Sequence, residues 1–284
     1  MAANPDALVT TGWVADHLDD DGVVIAEVDE DTTAYDKGHV PNAISFHWQD
    51  DFQHPLRRTF LDKDGFEELL SRTGIANDDH VVVYGGNNNW FAAYAYWYFK
   101  VYGHDNVSLM DGGRKKWELE ERELTTSDVV REKTDYEASE PDESIRARRE
   151  QILDRFVGAP QGTALVDVRS SEEFRGEKLA PDHLPQEWPQ VAGHIPGATN
   201  IGWGNAVDQD TGEFLSEDRL AELYGDRGVT DDAEVVTYCR IGERSAHTWF
   251  VLHELLGYDS VRNYDGSWTE YGSLVDVPVA RGDE

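Results

Sequence analysis

The 284-residue chain has a single cysteine, Cys239, two methionines and only seven lysines. One thiol cannot close an internal disulfide, and no Cys-rich metal motif can be built on it. No apolar run approaches the roughly 20 residues that a membrane span needs. The opening stretch from Met1 to Trp13 has no basic head followed by an apolar segment, so no secretory signal is expected. Positive charge is scarce: 25 Lys plus Arg stand against 57 Asp plus Glu, a formal net charge of −32. Phosphate contacts need a basic face, so nucleic-acid binding is disfavoured. These absences predict a soluble cytoplasmic protein with no metal and no membrane partner. The acid is spread along the chain rather than gathered in one tail. With so little lysine, this points to a cytoplasm at very high salt, where a Debye length of roughly 3 Å at 1 M screens self-repulsion. The rival explanation is a specific basic partner, but no acidic block is present to receive it.

At 39% hydrophobic and 11% aromatic, the chain can bury a core. It also repeats itself. "GHVPNAISFHW" (38–48) resembles "GHIPGATNIGW" (193–203) at an offset of 155 (193 − 38). "VVVYGG" (81–86) resembles "VVTYCR" (235–240), and "GHDNVSLMDGGRKKW" (103–117) resembles "GYDSVRNYDGSWTEY" (257–271), both at an offset of 154 (235 − 81 and 257 − 103). Blocks in the same order at nearly one offset mean two copies of one globular unit. The expected division is 1–126, a polar linker 127–149 with a helix beginning near Ser144, and 150–284. The second copy carries extra sequence at 175–193, whose three prolines predict a loop.

Short apolar runs alternate with helical patterns. "TALVDV" (163–168), "EVVTY" (234–238) and "SVRNY" (260–264) read as buried strands. Residues 216–228 read as a helix capped by Ser216, and 243–258 as another stopped at Gly257. The alternation predicts an α/β fold with a mostly parallel sheet flanked by helices. Sites in such sheets lie at the carboxyl ends of strands, where Cys239 falls.

The lone thiol is followed by "RIGERS", with Arg240 and Arg244 close by in a strongly acidic protein. A strand–loop–helix junction binds anions, because the first helical turn leaves N–H groups unpaired and the helix dipole adds positive charge. Gly242 permits a positive φ, so the loop can curl its donors around the sulfur. Two arginines add full charges. The expectation is a thiol stabilised as nucleophilic thiolate in a cradle that also holds an anionic substrate. The alternative is a buried structural cysteine.

Here the chain resembles the two-domain rhodanese family, thiosulfate sulfurtransferases, over nearly its whole length. "YDKGHVPNAISF" (35–46) resembles the N-terminal signature, with Asn42 where glycine is usual. "VRNYDGSWTEY" (261–271) resembles the C-terminal signature, and "CRIGERS" the active-site loop. The resemblance implies two tandem rhodanese-like domains, of which only the second is catalytic; Gly85 stands in the first where Cys239 stands in the second. It implies that Cys239 attacks the outer sulfur of thiosulfate, that sulfite leaves, and that the persulfide passes its sulfur to cyanide, a small thiol or a thioredoxin-like acceptor. No cofactor is implied. Backbone N–H groups of Arg240, Ile241, Gly242, Glu243, Arg244 and Ser245 would cradle the persulfide, and Arg240 and Arg244 would hold sulfite. A further substrate arginine is expected after the first strand of the catalytic domain. Arg175 is the candidate, although Glu173 falls at the family's arginine position.

Other polar residues read as structural: Asp167 with Arg169 across loop ends, His39 and His194 in matching turns, His247 one turn past the loop, and Asp265 in a turn. Trp203, Trp249 and Trp268 read as core or interface residues. A cysteine phosphatase needs five residues between cysteine and arginine, and here that position is Ser245, with Arg244 one short. A mercaptopyruvate sulfurtransferase usually has small neutral residues after its cysteine, so Arg240 favours thiosulfate. A non-catalytic sulfur carrier remains open.

Overall fold

The computed structural model describes residues 3–181 and 188–283. The chain divides into two compact units. The N-terminal unit comprises Pro5–Asp142 together with Val207–Phe214, and the C-terminal unit comprises Glu143–Ala206 and Leu215 onward, with Ala3 and Asn4.

In the N-terminal unit, five strands form one sheet: β1 (Leu8–Val9), β2 (Val23–Asp29), β3 (Ile44–His47), β4 (His80–Tyr84) and β5 (Val107–Met110). Their order is β1-β5-β4-β2-β3, and every ladder is parallel. The C-terminal unit repeats the plan with β6 (Thr163–Asp167), β7 (Thr199–Asn200), β8 (Glu234–Tyr238) and β9 (Val261–Tyr264), ordered β7-β6-β8-β9 and again parallel. Runs such as Val81-Val82-Val83 and Val235-Val236 suit a sheet covered on both faces, because branched side chains pack well on the pleat. All five of these valines are buried. The C-terminal core gathers Phe156, Leu165, Val236, Tyr238, Tyr264 and Trp268. The N-terminal core gathers Ile25, Val82, Tyr84, Met110 and Trp117.

The predicted helices are present as Glu217–Gly225 and Glu243–Phe250, the latter continuing through a π-turn at Val251–Leu255 and ending before Gly257 at φ +73°. The helix expected near Ser144 is not. Ile145–Ala147 runs extended beside β9: Asn263 N donates to Ile145 O (3.0 Å) and Ala147 N to Asn263 O (2.9 Å), and the helix begins only at Arg149. Ile145, Arg146 and Ala147 are all buried, an extended segment overlooked in a charged stretch. Of the predicted 175–193 loop, residues 182–187 lie outside the described residues. The rest has no regular structure after the helix Ser171–Arg175 ends at Gly176, φ +77°.

Val207–Phe214 is a turn of the C-terminal sequence that belongs to the N-terminal unit. Asp208 Oδ1 accepts from the N–H groups of Asp210 (2.8 Å) and Thr211 (3.0 Å). Phe214 N donates to Asp111 Oδ1 at 3.0 Å, and Lys116 pairs with Glu213 at 2.7 Å.

Candidate active site

Cys239 sits immediately after β8, at the carboxyl end of the sheet, and the helix Glu243–Phe250 starts four residues later. Gly242 has φ +100°, and a Cβ there would lie 2.6 Å from the Cα of Asp265. Only glycine fits both the conformation and the space. The turn aims Gly242 N at Cys239 Sγ, 3.2 Å away. The Sγ in turn donates to Glu243 Oε2 at 3.3 Å, and Cys239 is fully buried.

The loop is held from the β9 side. Cys239 N donates to Ser267 Oγ (3.0 Å), which donates to Tyr264 O (2.7 Å). Trp268 N donates to Cys239 O and Thr269 N to Arg240 O, each at 3.0 Å. Asn263 Nδ2 donates to the Gly242 carbonyl (3.0 Å), and its Oδ1 accepts from Ser245 Oγ (2.6 Å). Ser267 adopts φ +52° without being glycine. Asp265 is gripped at both oxygens by Arg146, at 3.0 and 2.7 Å, so it does more than form a turn.

Both loop arginines are buried among carboxylates. Arg244 reaches Glu173 with both terminal nitrogens, at 3.0 and 3.2 Å. Arg244, expected to hold sulfite with Arg240, has its fork on Glu173 in this structure. Burial alone would raise the Glu173 carboxyl, but the charge and hydrogen bonds of Arg244, with the charge of Arg169, hold it down to about 2. Arg240 lies 3.8 Å from Glu243. The thiol does not sit in a purely cationic field. Burial and the neighbouring Glu243 charge push the Cys239 thiol up, outweighing Arg244 and the N–H groups of Ser245 and Gly242. A carboxylate inside the loop, three residues after the nearer arginine, offsets the field that the arginines supply.

Arg175 is not brought to this loop. It pairs with Glu177 at 2.8 Å and lines a separate cavity of about 690 Å³ with Arg169, Asn200 and Arg227, in whose wall no residue of 239–245 takes part. Arg169 and Asp167 form the structural pair expected, both side chains fully covered, with the guanidinium over Trp268 at 4.9 Å. His39 and His194 play one role twice. Each bonds through Nδ1 to a carbonyl, Tyr35 O (3.0 Å) or Phe174 O (2.8 Å), and stacks on that residue's ring. His247 is buried against Trp203. Trp249 and Trp268 are core residues, their indole N–H groups donating to Val261 O and Val191 O. Sequence reasoning missed Asn263, Ser267 and Arg146, and read Glu173 only as a departure. A charge inversion at an expected arginine position was the signal that Glu173 had acquired a basic partner.

The matching loop of the N-terminal unit has diverged. A Cβ on Gly85 would lie 2.3 Å from Val28 O. Asn87, Asn88 and Asn89 follow at φ +48°, +54° and +62°, a conformation asparagine tolerates better than most residues. Among the described residues no cluster of His, Cys, Asp or Glu is arranged to hold a metal, and no helix is long and apolar enough to cross a membrane.

Comparison with known proteins places this geometry. The profile of the rhodanese-like domain matches residues 10–120 and 150–274. A protein of Saccharopolyspora erythraea named "Putative thiosulfate sulfurtransferase" is 58% identical over 98% of each chain. The sulfur carrier protein TtuD of Thermus thermophilus is 52% identical over 99% of each chain. Among solved structures, the anaerobic ergothioneine biosynthesis enzyme of Chlorobium limicola superposes with a TM-score of 0.84 at 21% identity, covering 98% of this chain and 70% of that one. That last likeness is one of fold.

Proposed function

The chain belongs to the rhodanese family through both of its halves, and from that premise we propose that it is a thiosulfate sulfurtransferase working through a Cys239 persulfide. The observation that carries this reading is the Gly242 N–H aimed at Cys239 Sγ at 3.2 Å, at a helix start flanked by Arg240 and Arg244. Sγ attacks the outer sulfur of thiosulfate, the sulfur–sulfur bond breaks, and sulfite leaves with the electron pair. The persulfide, cradled by the backbone of Arg240 to Ser245, then gives its outer sulfur to cyanide or to a thiol, including that of a thioredoxin-like acceptor. Arg240 is the sulfite contact. Arg244, bound to Glu173, contributes charge rather than a fork. The C-terminal half, 150–284, carries the chemistry, and 1–126 with the linker 127–149 supports it. The net charge of −32 fits work in a salt-rich cytoplasm.

A second reading, a carrier that accepts sulfur from another protein, is favoured by the 52% identity to a protein named for that role. Mass spectrometry after thiosulfate treatment tests the first. Wild type should gain one sulfur atom on Cys239 and form thiocyanate with cyanide, and Cys239→Ala should do neither. Thiocyanate production by the variant would rule the mechanism out. Parallel rates with thiosulfate and mercaptopyruvate at molar KCl should favour thiosulfate. Loading only from a protein persulfide would leave the carrier.

A further inference from the structure

The buried carboxylate at Glu243 has no place in the sulfur chemistry just described. Glu243 is 1% exposed, its Oε2 accepts from Cys239 Sγ at 3.3 Å, and its Oε1 makes no hydrogen bond among the described residues, with Arg240 Nη2 3.8 Å away. A buried carboxylate with an open lone pair is costly unless something uses it.

The charges around it close to a simple sum. With the thiol protonated, Arg240 and Arg244 balance Glu243 and Glu173, and the buried group is neutral. Beyond it, the β6 side presents the pair Arg169–Asp167 and the β9 side the pair Arg146–Asp265, each neutral in itself, while His247 lies one turn along the same helix. Losing the thiol proton to bulk water before a donor binds would leave a net negative charge on a group whose members are at most 4% exposed. Passing it to Glu243 keeps the sum unchanged while Sγ attacks, and the negative charge appears only on the persulfide formed afterwards, which the Gly242 N–H faces.

We propose, resting on the sulfurtransferase reading, that Glu243 is the general base of sulfur loading and returns the proton to the leaving group. As Sγ bonds to the outer sulfur of thiosulfate, its proton moves to Glu243 Oε2. The sulfur–sulfur bond of the donor breaks, and sulfite departs with the electron pair. Glu243 then protonates sulfite, which leaves as hydrogen sulfite, and Cys239 remains as a persulfide anion. Glu243 thus touches the reacting atom and is a catalytic residue, beyond its place in the backbone cradle. Burial, with the same carboxylate adding to it, favours the resting thiol in its protonated, less reactive form. The cysteine is then a poor target for stray electrophiles until a donor is bound.

The variant Glu243→Gln keeps shape and removes both the charge and the base. A purely electrostatic role and a base role then predict opposite results. Without the negative charge the thiol should titrate at lower pH, read as a leftward shift of the iodoacetamide alkylation-rate profile. If charge were all, sulfur loading at pH 7 would speed up. The base role predicts that loading, followed as sulfur mass gain, slows by about 10²- to 10⁴-fold at pH 7. It should recover toward wild type as hydroxide replaces the base at high pH. Glu243→Asp should restore part of the rate. Loading is measured with thiosulfate and, in parallel, with sodium tetrasulfide, so that a wrong choice of donor leaves the test intact. Glu243→Gln loading as fast as wild type or faster would overturn the inference while leaving the sulfurtransferase reading standing. Wild type gaining no sulfur from either donor would overturn both.

Discussion

Ser267 carries a conformation that its neighbour in the duplication gives to glycine. Gly113 and Ser267 occupy matching positions at φ +54° and +52°. A serine there costs on the order of 1 kcal/mol, and its hydroxyl repays that by accepting from Cys239 N. Ser267→Ala keeps the strain and leaves that buried N–H unpaired. It should lose about 1–3 kcal/mol in urea unfolding and load sulfur more slowly, with Ser267→Gly milder because the strain is relieved. Wild-type stability in the alanine variant would remove this role. Glu173 makes a second residue-scale case. Its folded carboxyl is held down to about 2, below an unfolded value of about 4.3. The pair's contribution is therefore complete above the unfolded value and is lost as pH falls from about 4.5 toward 2. Glu173→Gln should cost about 3–5 kcal/mol at neutral pH by stranding Arg244, and should flatten stability across that acid window relative to wild type. An unchanged acid limb would mean that the pair contributes nothing there. Cys239, Gly242 and the loop that joins them to the helix are legible in sequence because they are contiguous. The Glu173–Arg244 pair spans 71 positions and leaves no local pattern, and the direction of the thiol shift depends on burial that no motif reports.

At the scale of the element, strands and turns follow from local chemistry. Asn42 and Gly197 hold the same turn position at φ +63° and +85°, and asparagine substitutes because it enters the left-handed region more readily than most residues. The extended Ile145–Ala147 segment is misread because its partner strand, β9, lies more than 100 positions away. The diverged loop after β4 makes its own test. Gly85→Cys would restore a thiol at the matching position, but its Cβ meets Val28 O at 2.3 Å. The variant should be less stable by about 1–3 kcal/mol, as overpacking generally is, and Cys239→Ala/Gly85→Cys should form no persulfide. A doubly substituted chain that gains sulfur would show that the loop had lost only its thiol.

Across the whole molecule, 57 acidic residues against 25 basic ones set a dependence on salt that no single contact does. Removing salt unscreens that repulsion, so the Tm should climb from low to molar KCl. A flat or falling trend would reopen the search for a basic partner. The duplication itself is readable from two offsets in the sequence, but the membership of Val207–Phe214 is not, since nothing in its composition differs from its surroundings. That exchange bears on ancestry. Once a gene half encodes a turn that completes the other half's unit, the copies can no longer be parted by a break at the join: each fragment would lack a piece of itself. A duplicate with glycine where its counterpart has the thiol would then be retained for its geometry. Selection acting on either half then becomes selection for the folding of both.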